Sequence, residues 1–178
     1  MKNAFFILLT LLFWAPLGAA SEHGYQAEDG EDVLPWVEIK SADDLRTLGV
    51  EARAGDKVIL LEMSAPYCGY CRTLEDEIIK PMLRNRDYDE RVIIRKLDIS
   101  RHYPIPDFNG GKTTPAQIAS RYGVFVTPTL VFLDGDGREA GERILGVNTL
   151  EFYGGYVDEA LDQAYHKINH PKYVYKTD

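Results

Sequence analysis

Residues 57–71 read K-V-I-L-L-E-M-S-A-P-Y-C-G-Y-C, and the two halves of this stretch follow different rules. From Lys57 to Met63 the chain is apolar almost without interruption, as expected of a central strand buried on both faces. Shortly after that run stand Cys68 and Cys71, the only two cysteines in the sequence. Beyond them Leu74, Ile78, Ile79 and Met82 recur at helical spacing among Glu75, Asp76 and Glu77, and Pro81 is expected to kink or end that helix. Cys68 is thereby predicted at a helix N-terminus, where unpaired backbone N–H groups and the positive end of the helix dipole favour a thiolate. Cys71, one turn later, is predicted to face inward, placed to attack a mixed disulfide formed at Cys68 and release the product.

The spacing alone leaves other chemistries open. A structural zinc site normally takes four ligands, and the helpers on offer, His166 and His170, lie far along the chain, where solvated helix-end histidines are the simpler reading. A thiolate pair suits Cu(I), so a copper carrier is an alternative, although Met63 and His102 are sparse company for one. A purely structural disulfide across so short a loop constrains little of the unfolded chain. A redox dithiol is the preferred reading, and it requires no cofactor or metal.

Around this centre the order β-α-β-α-β-α-β-β-α is predicted. Trp36-Val37-Glu38-Ile39 alternates like a short strand, and Ser41-Ala42-Asp43-Asp44 reads as a capping box opening a helix through Leu48. Val92 to Asp98 forms a second buried strand, parallel to the first by a right-handed crossover. Residues 99–113 carry two prolines and two glycines and read as a long surface loop. Thr114 caps a helix with Pro115 at its first position, closed by Gly123. Thr129 to Leu133 is a strand, Asp134 to Gly137 a hairpin turn, and Glu142 to Leu145 the returning strand. Thr149 opens a last helix to about Ile168, weakened by Gly154-Gly155, with a polar tail over 169–178. The expected architecture is α/β: a mixed central sheet with helices on both faces and a C-terminal β-hairpin plus helix.

The N-terminus is different material. Lys2, an uncharged apolar run and then Gly18-Ala19-Ala20 predict a secretory signal peptide over 1–20, cleaved after Ala20. An uncleaved membrane anchor is the alternative reading of the same run, and no cysteine follows it to carry a lipoprotein anchor. Residues 21–34 are an acidic lead-in, and the domain proper is expected over 35–168. Export would put the dithiol where it can be oxidised. The net charge of −8 argues against a nucleic-acid partner.

With the motif, the strand before it, a Thr-Pro about sixty residues later and a hairpin after that, the chain resembles the thioredoxin superfamily over most of its predicted domain. The resemblance implies that Pro128, in Val126-Thr127-Pro128-Thr129, is the family's cis-proline facing the active-site sulfurs. It implies that Glu62 is the buried acid beneath the inner cysteine, where burial raises a carboxyl pKa and lets it exchange a proton with Cys71. Lys96 matches a lysine often found near that acid. Tyr67, Gly69, Tyr70, Thr127 and Pro128 would contact the substrate, Thr127 and Pro128 through their backbone.

Some features depart from plain thioredoxins. Tyr67 stands where they have Trp, Gly69-Tyr70 where they have Gly-Pro, Pro81 falls late in the helix, and 99–113 is an insertion. These traits resemble exported bacterial thioredoxin-like proteins such as those of sulfur oxidation, cytochrome c maturation or disulfide reduction. The resemblance therefore implies a periplasmic monomer that reduces protein disulfides and draws electrons from a membrane-embedded donor. Gly-Tyr also lies between the cysteines of the periplasmic disulfide isomerase, so isomerase or oxidase chemistry remains an alternative, though the short lead-in lacks that protein's N-terminal dimerisation domain. Two decoys fail: Gly110-Gly111-Lys112-Thr113 lacks the first glycine of a phosphate loop, with Pro106 in its place, and Asp134-Gly135-Asp136-Gly137 puts Arg138 where a calcium loop needs a ligand.

Overall fold

Val58–Ser64 forms β1, buried along its whole length, as its apolar run predicts. The structure, a computed structural model, describes residues 34–170; the predicted signal peptide, nearly all of the acidic lead-in and most of the polar tail lie outside them. β2 (Val92–Asp98) runs parallel to β1 on one side, with Glu62 opposite Lys96. On the other side β5 (Thr129–Leu133) runs antiparallel, with Met63 opposite Thr129, and β6 (Ile144–Leu145) completes a sheet of order β2-β1-β5-β6.

Alternation along β1 assigns its two faces. Val58 and Leu60 pack with Leu74, Ile79 and Met82 of the helix after the cysteines and with Tyr153, Val157 and Leu161 of α5 (Leu150–Asn169). Ile59, Leu61 and Met63 pack with Leu45, Leu48 and Ala52 of α1 (Leu45–Ala54) and with Ile118 and Ala119 of α4 (Pro115–Arg121). The expected mixed sheet with helices on both faces is what these residues form. Glu62 shares the face of Leu60, so a carboxyl group points into the layer that carries the cysteine helix.

Several local expectations need correction. Trp36–Ile39 is not a strand: Trp36 is 81% exposed, and only Ser41 makes a parallel bridge, to Lys96. The cap of α1 is Asp44, whose carboxylate accepts the Thr47 N–H at 2.8 Å, and the helix runs on to Ala54. Pro81 does not end its helix. After α2 (Gly69–Leu74) comes a π-helical turn, Glu75–Ile79, and then α3 (Lys80–Arg84). The wider turn pairs the Lys80 N–H with the Glu75 carbonyl and absorbs a residue that has no N–H of its own. Gly154 and Gly155 do not interrupt α5, and the returning strand β6 is shorter than expected.

The 99–113 segment is more than a surface loop. It holds a small antiparallel sheet, β3 (Ile105–Pro106) with β4 (Lys112–Thr113), closed by Gly110 in the left-handed region at φ 83°. Asp107, at 4% exposure, anchors it: the Arg121 guanidinium of α4 binds both carboxylate oxygens, at 2.9 and 2.5 Å, and holds that carboxyl below its ordinary range. Asp107→Ala should lower stability by about 2 kcal/mol, since it leaves a guanidinium partly buried without its partner. Urea unfolding checks this; an unchanged midpoint would mean that Ile105 and Thr113 hold the hairpin unaided. The Asp134–Gly137 hairpin turn is as expected, with the Asp134 carboxylate accepting from the Asp136 and Arg138 N–H groups.

Candidate active site

Cys68 is the N-cap of α2, and its sulfur accepts the Cys71 N–H at 3.1 Å. The two cysteines are joined in a disulfide, Cys71 being 2% exposed and Cys68 partly open to solvent. This asymmetry follows from the helix: the cap residue sits at its mouth, while the residue one turn inward is buried with Leu74 on the inner face. Tyr67, just before the cap, is held at φ 63°, a left-handed backbone that costs a non-glycine residue about 1 kcal/mol, and the residue is 98% exposed.

The Thr127–Pro128 peptide is cis. One residue beyond the Met63–Thr129 pair, Pro128 lies at the end of β1 from which the cysteine loop departs. Its carbonyl is taken by the Gly146 N–H at 2.8 Å, while Thr127 makes no backbone hydrogen bond among the described residues. Of the two residues expected to offer backbone to a substrate, Thr127 is therefore the one left open. Phe125, 90% exposed, and Val126 stand just ahead of it, and Tyr67 and Tyr70 are exposed at the same end of the sheet. Gly69 is exposed in the first turn of α2. The sequence reading passed over Phe125 and gave Val126, quoted within the Thr-Pro motif, no contact role, although two large apolar residues directly before a Thr-Pro ahead of a buried strand were a visible signal.

Beneath the helix, Glu62 is fully buried, and neither carboxylate oxygen has a hydrogen-bond partner among the described residues. Burial, reinforced by the Glu75 carboxylate and opposed by the Lys96 ammonium, pushes its pKa up to about 8. Lys96 is its cross-strand neighbour but does not bond to it: the ammonium binds Glu75 at 2.8 Å. Glu75 is a further residue to which the sequence assigns no role. It stands four residues after Cys71 and so shares its helix face, yet only the fold brings Lys96 to it.

A cleft of about 420 Å³ opens beside the disulfide, and Cys68, Cys71, Glu75 and Lys96 reach it whereas Glu62 does not. Its outer wall is built by the start of the insertion. Arg101 binds Asp98 at 3.0 Å and donates to the Tyr103 hydroxyl at 2.7 Å, which donates to Asp43 at 2.9 Å. The insertion thus narrows the approach to the sulfurs. The rings of His166 and His170 meet at a tilt of 49° with centroids 4.9 Å apart, in the last turn of α5 and just beyond it. Among the described residues no set of three or more His, Cys, Asp or Glu is placed to hold a metal ion, and no helix is long and apolar enough to cross a membrane.

Comparison with known proteins adds relatives to this geometry. The thioredoxin-like domain family matches residues 48–160, more than half of the chain. Protein disulfide isomerase-like 2-1 of Oryza sativa subsp. japonica is 25% identical over 161 residues, covering 82% of this chain and 40% of its own length. Protein disulfide isomerase-like 2-2 of the same organism is 31% identical over 104 residues, covering 58% of this chain and 24% of its own length. This chain therefore spans less than half the length of these curated relatives. The crystal structure of the thioredoxin of Malassezia sympodialis superposes with a TM-score of 0.51 at 18% identity, covering 76% of this chain and 98% of that one, which is a likeness of fold.

Proposed function

The chain belongs to the thioredoxin-like domain family, and from that premise we propose that it is an exported thiol–disulfide oxidoreductase that reduces disulfides of partner proteins at Cys68-Gly69-Tyr70-Cys71. One observation carries the reading: the disulfide joins a cap cysteine at an open cleft to a buried cysteine on the helix face above an unpartnered acid.

The reaction balances with these groups alone. In the dithiol form, the Cys68 thiolate attacks one sulfur of the substrate disulfide; an S–S bond forms to Cys68, and the other substrate sulfur leaves with the electron pair and takes a proton from water. The Cys71 thiol then gives its proton to Glu62 in its carboxylate form, the minor species at neutral pH given a folded pKa of about 8, and its sulfur attacks Cys68. The mixed disulfide breaks, the second substrate sulfur leaves as a thiolate, and the chain is left in the disulfide form of this structure. Two electrons have passed from the protein to the substrate. Exposed Tyr67, Tyr70, Phe125 and Val126 offer apolar contact to a polypeptide, and the open backbone of Thr127 offers it hydrogen bonds. The signal-like N-terminus supports a periplasmic location, by cleavage or by anchoring, with a membrane-embedded donor returning the dithiol form and the domain acting as a monomer.

The test is direct. The dithiol form should reduce a protein disulfide stoichiometrically and stop until a thiol source is supplied. Its reduction potential, measured against glutathione buffers, should lie nearer thioredoxin's about −270 mV than the about −120 mV of a strong oxidant. Cu(I) binding without exchange would overturn the reading. The names of the two rice relatives favour a second one, disulfide isomerisation, which predicts recovery of a scrambled disulfide protein faster than its net reduction.

A further inference from the structure

The ion pair beside the disulfide has a geometry that the exchange reaction does not by itself require. Glu62 lies on β1 with Lys96 directly opposite on β2, so the nearest cation is one strand away. A salt bridge between them would be the ordinary outcome for a buried acid. The Lys96 ammonium instead turns to the Glu75 carboxylate at 2.8 Å, in the π-helical turn that follows α2. Glu75 is itself mostly covered, its side chain 15% exposed, and both partners of this pair line the cleft while Glu62 stays behind them. Other elements bring Glu62 little compensation. Cys71 is tied in the disulfide, Leu130 of β5 is apolar, and the Tyr153 hydroxyl of α5 donates to the Gly146 carbonyl at 2.9 Å. Ser64, on its own strand, is the remaining polar neighbour.

We propose that Glu75 is a positioning residue for the proton transfer at Cys71: by binding the Lys96 ammonium at the cleft wall it keeps that charge off the Glu62 carboxyl, leaving Glu62 free to take the Cys71 proton. The inference rests on the exchange reaction proposed above. An ammonium bound to Glu62 would hold the carboxylate as an ion pair and make it a poor base. Proton balance closes with solvent: Cys71 gives its proton to Glu62, and Glu62 later releases it to water from the cleft that Glu75 and Lys96 line.

The direction of the Glu75 side chain is set by α2, which places it four residues after Cys71 on the same face, and the widened turn that Glu75 opens lies just ahead of Pro81.

Two variants of the full chain separate this from a merely structural ion pair. In the disulfide form, ¹³C NMR of labelled glutamate carboxyls follows Glu62 without any turnover. Glu75→Gln removes a repelling carboxylate and releases Lys96 toward Glu62, so the Glu62 midpoint should fall from about 8 by about one pH unit or more. Lys96→Met removes the cation and should move it upward. In single-turnover exchange, the pH at half-maximal rate of the Cys71 step should move in the same two opposite directions. An unmoved Glu62 midpoint in Glu75→Gln, or shifts of the same sign in both variants, would overturn the proposal. Absence of exchange in the unaltered chain would instead overturn the functional reading, and the carboxyl titration would still judge Glu75.

Discussion

Cys68→Ser is expected to reduce disulfide exchange to the uncatalysed background, a loss of at least about three orders of magnitude. The size follows from position. Cys71 is 2% exposed beneath the first turn of α2, so a substrate disulfide cannot align with its sulfur for in-line attack. A serine hydroxyl at the cap would keep the hydrogen bond now accepted by the Cys68 sulfur from the Cys71 N–H, so the helix should survive while the nucleophile is lost. Turnover of a fluorescent peptide disulfide, with circular dichroism confirming the fold, measures the effect. Retention of more than a few per cent of activity would make Cys71 or another group the nucleophile.

The second large effect concerns stability, and its sign is opposite to most changes in a core. Glu62 has a folded pKa of about 8 against an ordinary 4.5. Between those values the folded chain holds a proton that the unfolded chain has released, so stability falls as pH rises through that window and levels off above it. At its limit the loss is about 5 kcal/mol. Glu62→Met, apolar and of similar length, removes the ionising group. The variant should match the unaltered chain near pH 5 and exceed it by several kcal/mol near pH 8.5, on the order of that limit. Guanidinium unfolding at several pH values reads this, and an equal pH slope in both proteins would contradict it. The same change should slow the Cys71 step by about 10²-fold or more at neutral pH, because the base is gone. The site thus holds an acid that the fold alone would be more stable without.

These residues also show where a sequence is transparent. β1 was legible because seven consecutive buried positions need apolar side chains on both faces, and Glu62 stood out as the one charge among them. Thr114 and Pro115 announced α4 because a capping side chain and a proline at the first turn act within four residues, and the Thr114–Gln117 capping box is formed as that logic requires. The Cys68 cap was legible for the same local reason. Failure came where structure depends on distant partners. Trp36–Ile39 alternates like a strand, yet contact with β2 is confined to residues 40–42, where Lys96 donates to the Lys40 carbonyl and accepts from the Ala42 N–H. The two-residue strands β3 and β4 have no period to detect, and Arg121, 14 positions beyond Asp107, holds them in place. In the sequence Glu75 is one of three acids interleaved with the apolar positions of a helix. Its meaning appears only when the parallel register sets Lys96 beside Glu62 and the cysteine helix carries Glu75 to the ammonium.

The central claim is that Cys68 attacks and Cys71 resolves. Cys71→Ser, reduced and mixed with a peptide disulfide, tests it by intact-protein and fragment mass spectrometry. A mixed disulfide is expected to accumulate on Cys68, one peptide per chain, and to persist until an external thiol is added. A chain that stays unmodified under conditions in which the unaltered protein turns over would contradict it.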